Sequence, residues 1–158
     1  MGELSAYAVD CLVTGTIDLE DGRLSDRLDT VLASPLRDVR LEDLGDGHVV
    51  VVPELTLEPD DLCAVVASEP RGDPFRRLHT RTARVKAEVG PYRIEGTVHG
   101  TAASDPIGRA LRHDSWVPMT GVTVMYRRGS EDVADDVETL LVNRHLLHHF
   151  READEPVT

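Results

Sequence analysis

The feature that most constrains this chain is a strand-like motif that occurs twice, as Val13-Thr-Gly-Thr-Ile17 and again as Ile94-Glu-Gly-Thr-Val98. β-Branched residues beside a Gly-Thr pair suit a pleated strand. A glycine inside such a strand marks a bulge, a bend or a close backbone approach. Meeting that glycine twice, at Gly15 and Gly96, implies that the same bend is needed twice, as when a sheet curls toward a barrel.

The segments after the two motifs also run in parallel. After Gly15 come a helical pattern over Leu24–Ala33, a strand pattern over Leu36–Leu41, and a segment from Pro53 to Val66. After Gly96 come Pro106–Leu111, Trp116–Val124 and Glu138–Leu147, with Glu54 matching Glu138, Leu57 matching Leu141 and Leu62 matching Leu146. A period of roughly eighty residues is too long for a solenoid or a propeller. The expected architecture is therefore mainly β with short helices, an α+β class. It would comprise two pseudo-symmetric copies of a small bent sheet or barrel, each carrying one short helix. The expected divisions are a first copy over 1–69, a linker over 70–79, a second copy over 80–152 and an acidic tail over 153–158. Each copy alone buries too little apolar surface to stand comfortably, so the two should share a core.

Finer elements come from local pattern. Tyr7–Ile17 alternates at period two and reads as one half-buried strand. Leu36–Leu44 and Val49–Val52 flank the turn Gly45-Asp-Gly47, which makes a hairpin. Val49–Val52 has no polar alternate and should be buried on both faces or lie against the sister copy. Thr80–Val89 turns at Gly90-Pro91 into Tyr92–His99, a second hairpin. Its first strand is either a counterpart of something before Tyr7 or an addition to the second copy. Arg127–Asp136 reads as a charged loop.

The net charge of −12 is unevenly spread: residues 1–69 hold sixteen acidic side chains against four basic ones, while the remainder balances thirteen against thirteen. That field repels phosphate backbones and disfavours DNA or RNA binding. Few aromatic residues argue against a base-stacking platform. Cys11 and Cys63 lie among apolar neighbours and read as small core hydrophobes. With no membrane-length apolar run, no secretory signal and no disulfide framework, the expected place is the cytoplasm.

The Gly-Thr strand, Gly22-Arg-Leu-Ser-Asp26, a hydrophobic strand and the closing Leu141-Val-Asn-Arg-His145-Leu resemble an uncharacterised family of small bacterial proteins with a duplicated β-rich domain. That resemblance implies architecture and no activity. A Gly-Thr strand followed by Val39-Arg-Leu41 and Leu57-Glu-Pro-Asp-Asp-Leu62 is similar in rhythm to Sm-like barrels, whose last strands are joined by a tight polar turn. It implies a small, strongly bent barrel, and fold likeness alone does not carry function.

Two clusters carry candidate chemistry. Arg76, Arg77, Arg81, Arg84 and Lys86 concentrate positive charge, and guanidinium groups suit phosphates and carboxylates. Arg77-x-x-x-Arg81 resembles the arginine motif of PilZ-type receptors for cyclic dinucleotides, without the companion strand motif. These cations bind an anionic ligand, or pair with the acidic first half and join copies or subunits. His145, His148 and His149 invite a metal reading because a helix sets residues four apart on one face. No Glu completes a His-Glu-x-x-His pattern and no Cys is near, so no metal and no cofactor are assigned. Ser25 lacks a nucleophile-elbow setting, and no phosphate-cradling loop is present. The sequence thus points to a non-enzymatic binding or assembly module whose partner is a protein or itself, as a homodimer. The alternative is a sensor holding an anion or nucleotide through the arginines.

Overall fold

A computed structural model describes residues 2–17, 35–67, 80–101 and 116–153. These residues form one ten-stranded antiparallel sheet, and the strands in chain order are β1 (Gly2–Ala8), β2 (Cys11–Ile17), β3 (Leu36–Asp43), β4 (Val49–Leu55), β5 (Leu62–Val66), β6 (Thr80–Val89), β7 (Tyr92–Thr101), β8 (Trp116–Arg128), β9 (Glu131–Asn143) and β10 (Leu147–Glu152). The expected α+β class is corrected to all-β. Among the described residues the only helical turns are two three-residue 3-10 turns, Pro59–Asp61 and Arg144–Leu146. The expected helices at Leu24–Ala33 and Pro106–Leu111, and the linker over 70–79, lie outside the described residues. No helix among those described is long and apolar enough to cross a membrane.

Two local expectations also change. Tyr7–Ile17 is not one strand: the chain reverses at Val9-Asp10, and β1 pairs with β2 from Tyr7↔Leu12 to Gly2↔Ile17. Period-two alternation survives a two-residue turn, which leaves the break invisible in the residue pattern. Arg127–Asp136 is likewise no loop but the tip of a long hairpin in which Arg128 faces Glu131 across Gly129-Ser130. Arg127, Glu131, Asp132 and Asp136 are exposed, while Arg128 and Asp135 are half-buried.

The strand order is β10-β6-β7-β8-β9-β5-β1-β2-β3-β4. Strands β6–β10 repeat the order of β1–β5: a four-strand meander whose fifth strand returns beside the first. β6 therefore corresponds to β1. The glycines occupy the same place in each half. The β2·β3 register shifts between Thr14 and Thr16, and the β7·β8 register shifts between Glu95 and Thr97. A Cβ on Gly15 would stand 2.9 Å from Leu36 Cδ2 and 3.3 Å from Val39 Cγ2; one on Gly96 would stand 2.8 Å from Val122 Cγ2 and 3.0 Å from Met119 Cε. The crowding strand bends through a left-handed residue in both halves, Asp38 (φ 51°) and Gly121 (φ 55°). The 3-10 turns align Leu62 with Leu147, one residue beyond the expected match to Leu146.

The halves are not related as a twofold pair. A twofold would pair like strands, whereas β5 of the first half pairs with β9, the counterpart of β4, at Ala64↔Val142, Val65↔Leu141 and Val66↔Leu140. The contact is head to tail. Strands beside it lose their alternation because both faces are covered: Leu62–Val65 and Leu140–Asn143 are buried without a break. Apolar runs of this kind look the same whether strand or helix.

The sheet curls enough to enclose two cores. Leu4, Val13, Ile17, Leu36, Val39 and Leu62 pack inside the first half. Val85, Tyr92, Ile94, Met119, Val122 and Leu140 pack inside the second, joined by Tyr7, Cys63 and Ala64 from the first. Curling brings β7 back onto β1, well separated from it in the strand order, where the Tyr92 hydroxyl donates to the Ala8 carbonyl at 2.6 Å. Asn143, the one buried polar side chain among the described residues, spans the join. Its Nδ2 donates to the Pro59 and Leu62 carbonyls at 3.2 and 2.9 Å, while its Oδ1 accepts from the His145 N–H at 3.0 Å.

Candidate functional site

Of the expected arginine cluster, Arg84 and Lys86 are the members whose side chains are described, and they sit in different settings. Arg76 and Arg77 lie outside the described residues, and only the backbone of Arg81, opposite Gly100 on β6, is described. Arg84 is committed within its own half: Nη1 donates to the Gly121 carbonyl at 2.9 Å and to Thr97 Oγ1 at 3.2 Å, and Nε stands 3.8 Å from Glu95 Oε1. It clamps β6, β7 and β8 around the Gly96 bend. An ion pair that does cross between halves is Arg128 Nη1 to Glu42 Oε1, at 3.0 Å.

Lys86 faces a different setting. It lines a groove of about 730 Å³ together with Glu88, Arg93, Met125, His149 and Arg151. Strands β6, β7, β8 and β10 each supply part of it, so the local positive charge comes from three separate stretches of sequence. Sequence spacing signalled Lys86 alone; Arg93 and Arg151 join it only through the β10-β6-β7 pairing.

The histidines are rearranged as well. No helix holds them, so the four-residue spacing of His145 and His149 places them on different elements: the 3-10 turn and β10. His148 and His149 are neighbours on β10, and neighbours on a strand ordinarily point to opposite faces. Here the β10·β6 register slips between His148 and Arg151, and His149 takes a left-handed backbone (φ 52°). The bulge re-aims one ring. Both Nε2 atoms then approach Glu88 Oε2, at 3.5 Å from His148 and 3.6 Å from His149. The rings meet edge to face with centroids 5.1 Å apart, and His148 Nδ1 is 3.1 Å from the Leu146 carbonyl oxygen. Glu88 Oε1 stands 3.8 Å from Arg93 Nε. Glu88 carried no sequence signal, since it alternates among Arg84, Lys86 and other charges on an exposed face.

The join between halves has its own polar chemistry. All three tyrosines of the chain, Tyr7, Tyr92 and Tyr126, meet there edge to face at 5.2–6.0 Å. The hydroxyls of Tyr7 and Tyr126 both donate to Asp135 Oδ2, at 3.1 and 2.9 Å. Burial, reinforced at Tyr7 and Tyr126 by Asp135, raises all three phenols above the ordinary tyrosine range. Burial pushes the Cys63 thiol up to about 12; burial first, then Asp10, pushes Cys11 up to about 11. Thiols so raised carry little thiolate and are poor nucleophiles.

No family model, no curated protein and no solved structure matches this chain.

Proposed function

We propose that the chain is a self-associating assembly module that adds further copies of itself edge to edge, by the contact that already joins its own halves. The observation that carries this reading is the β5·β9 pairing. It joins a fifth-strand edge to a fourth-strand edge and leaves one edge of each kind, β10 and β4, at the ends of the sheet. Unequal free edges of this kind support head-to-tail addition, which builds a ring if it closes and a filament if it does not.

The chemistry of the two edges supports the same reading. The apolar run Val49–Val52, expected to be buried on both faces or to lie against the sister copy, stands on the terminal strand with Val50 43% and Val51 70% exposed. An open apolar edge is a pairing template. The β10 end presents Lys86, Arg93 and Arg151, while the half that carries β4 holds the acidic excess of the chain. By analogy with the existing join, His149, Phe150 and Arg151 would lie opposite Leu57, Thr56 and Leu55. That segment lies beyond Pro53, whose missing N–H would otherwise interrupt a ladder. Two free cysteines fit a reducing compartment, the cytoplasm.

Sedimentation velocity across a micromolar dilution series tests the proposal. The native chain is expected to exceed the monomer mass, and both Val50→Lys and Arg151→Glu to run as monomers. Mixing the two variants should restore a one-to-one complex, since each retains the edge the other lacks. A native chain that is monomeric throughout would sink the reading. The groove favours a second reading, an anion held by Lys86, Arg93 and Arg151. A thermal shift of the native chain with nucleotides, lost in Arg93→Ala, is its expected signature.

A further inference from the structure

We propose that Glu88, His148 and His149 form a binding site for a divalent transition metal of the zinc class, built into the bulge of β10. The inference does not rest on the assembly reading, although both use the β10 edge: the register above sets His149 opposite Leu57 of an added copy. Two imidazoles and a carboxylate are a donor set suited to such ions, and three protein ligands leave one position open to water. The three donor atoms lie within 4.8 Å of one another. Ligands about 2.1 Å from a tetrahedral ion stand about 3.4 Å apart. Glu88 Oε2 already keeps close to that spacing from each Nε2, at 3.5 and 3.6 Å. Closing the remaining side requires only a small swing of two exposed rings.

The surroundings prepare these atoms for a metal. With Nδ1–H of His148 donating to the Leu146 carbonyl, the free lone pair falls on Nε2, the atom that faces Glu88. A ligand histidine is commonly oriented in this way by a backbone carbonyl on its other nitrogen. Arg93 stands beside the second oxygen of Glu88, which leaves Oε2 for the imidazoles.

The backbone carries the strongest argument. A left-handed histidine is conformationally unfavourable, and strain of this kind clusters where geometry serves a site. The His149 side chain is 74% exposed, so packing does not repay it. Nor does the strand topology require it: the counterpart positions on β5, Cys63 and Ala64, are buried and have no left-handed backbone. What the conformation achieves is the convergence of two adjacent histidines on one carboxylate.

Equilibrium dialysis of the full chain against zinc at neutral pH, with cobalt(II) absorption as a spectroscopic readout, tests the site. One equivalent is expected to bind, with the intense visible bands of a tetrahedral cobalt centre. Glu88→Gln, His148→Gln and His149→Gln should each weaken binding at least tenfold, and His145→Gln should not. Circular dichroism of each variant verifies that these substitutions leave the fold intact. The absence of a saturable one-equivalent site in the native chain overturns the proposal, as does binding that survives all three substitutions or depends on His145. A mere pairing of protonated imidazoles with Glu88 gives the first of those outcomes.

Discussion

The start of β5 and the start of β10 hold corresponding places in the two halves, yet their chemistry is opposite. At the first, Tyr7, Cys63 and Ala64 are buried under the second half. At the second, the matching residues are Glu88, His148 and His149, and they are open to solvent. The backbone register is closely similar, with Leu62 opposite Ala8 and Leu147 opposite Val89. The difference is whether a neighbouring strand is present. Where β9 covers the edge, burying charge would be costly, and the positions are aromatic or small. Where nothing among the described residues covers it, ionisable groups are free to gather.

Substitutions can break this contrast. Tyr92→Ala removes the ring that ties β7 to β1 and should lower unfolding free energy by about 3–5 kcal/mol. His149→Ala at the free end should stay within about 0.5 kcal/mol. Denaturant melts of the two variants measure the gap, and a comparable loss from both would end the contrast. Gly96→Val drives a branched side chain into Val122 and Met119 and should cost about 3 kcal/mol, with a similar loss for Gly15→Val against Leu36 and Val39. Unequal losses would show that the two bends are not equivalent in energy. Asn143→Ala strips the Pro59 and Leu62 carbonyls of a buried donor and should cost about 2 kcal/mol by the same melts.

The tyrosines sharpen the picture in alkali. Each phenol has its folded pKa above the unfolded value of about 10, so the folded state holds protons that the unfolded state releases. Their contribution is complete below about pH 10 and is lost as pH rises toward the folded values. Cys63, raised to about 12, adds a loss in the same direction beginning near pH 8.5. Melting temperature should therefore fall steeply above about pH 10, and Tyr7→Phe should flatten that limb. The smallest expected effect is a gain. Asp38→Gly and His149→Gly relieve left-handed backbones and should each stabilise by about 0.5 kcal/mol, detectable as a small rise in melting temperature.

Much of the local structure was legible in the residues. Thr80–Val89 with its Gly90-Pro91 turn became β6 and β7, and Gly45-Asp-Gly47 joins β3 to β4 as its composition implied. The rule that an unbroken apolar run is buried on both faces holds, but for other strands than the one it first suggested. It describes Leu62–Val65 and Leu140–Val142, whereas Val49–Val52 lies on β4, the terminal strand among the described residues. Pattern reports how many faces a strand wants covered and does not say which strand will cover them. The candidate site was half legible for the same reason. His148 and His149 stand out as a pair, but Glu88 lies sixty residues earlier and reaches them only through the β10·β6 ladder.

By itself the sequence determined most of the strands, the turns at Gly45-Asp-Gly47 and Gly90-Pro91 and the two glycines where the sheet must bend, because alternation, turn chemistry and a missing Cβ act between near neighbours in the chain. Only the tertiary structure decided that β5 pairs with β9, that β4 and β10 end the sheet, and that a left-handed bulge gathers two histidines on Glu88. Strand edges offer the same N–H and C=O groups whatever their side chains, so the choice of partner rests on how the whole sheet curls and closes.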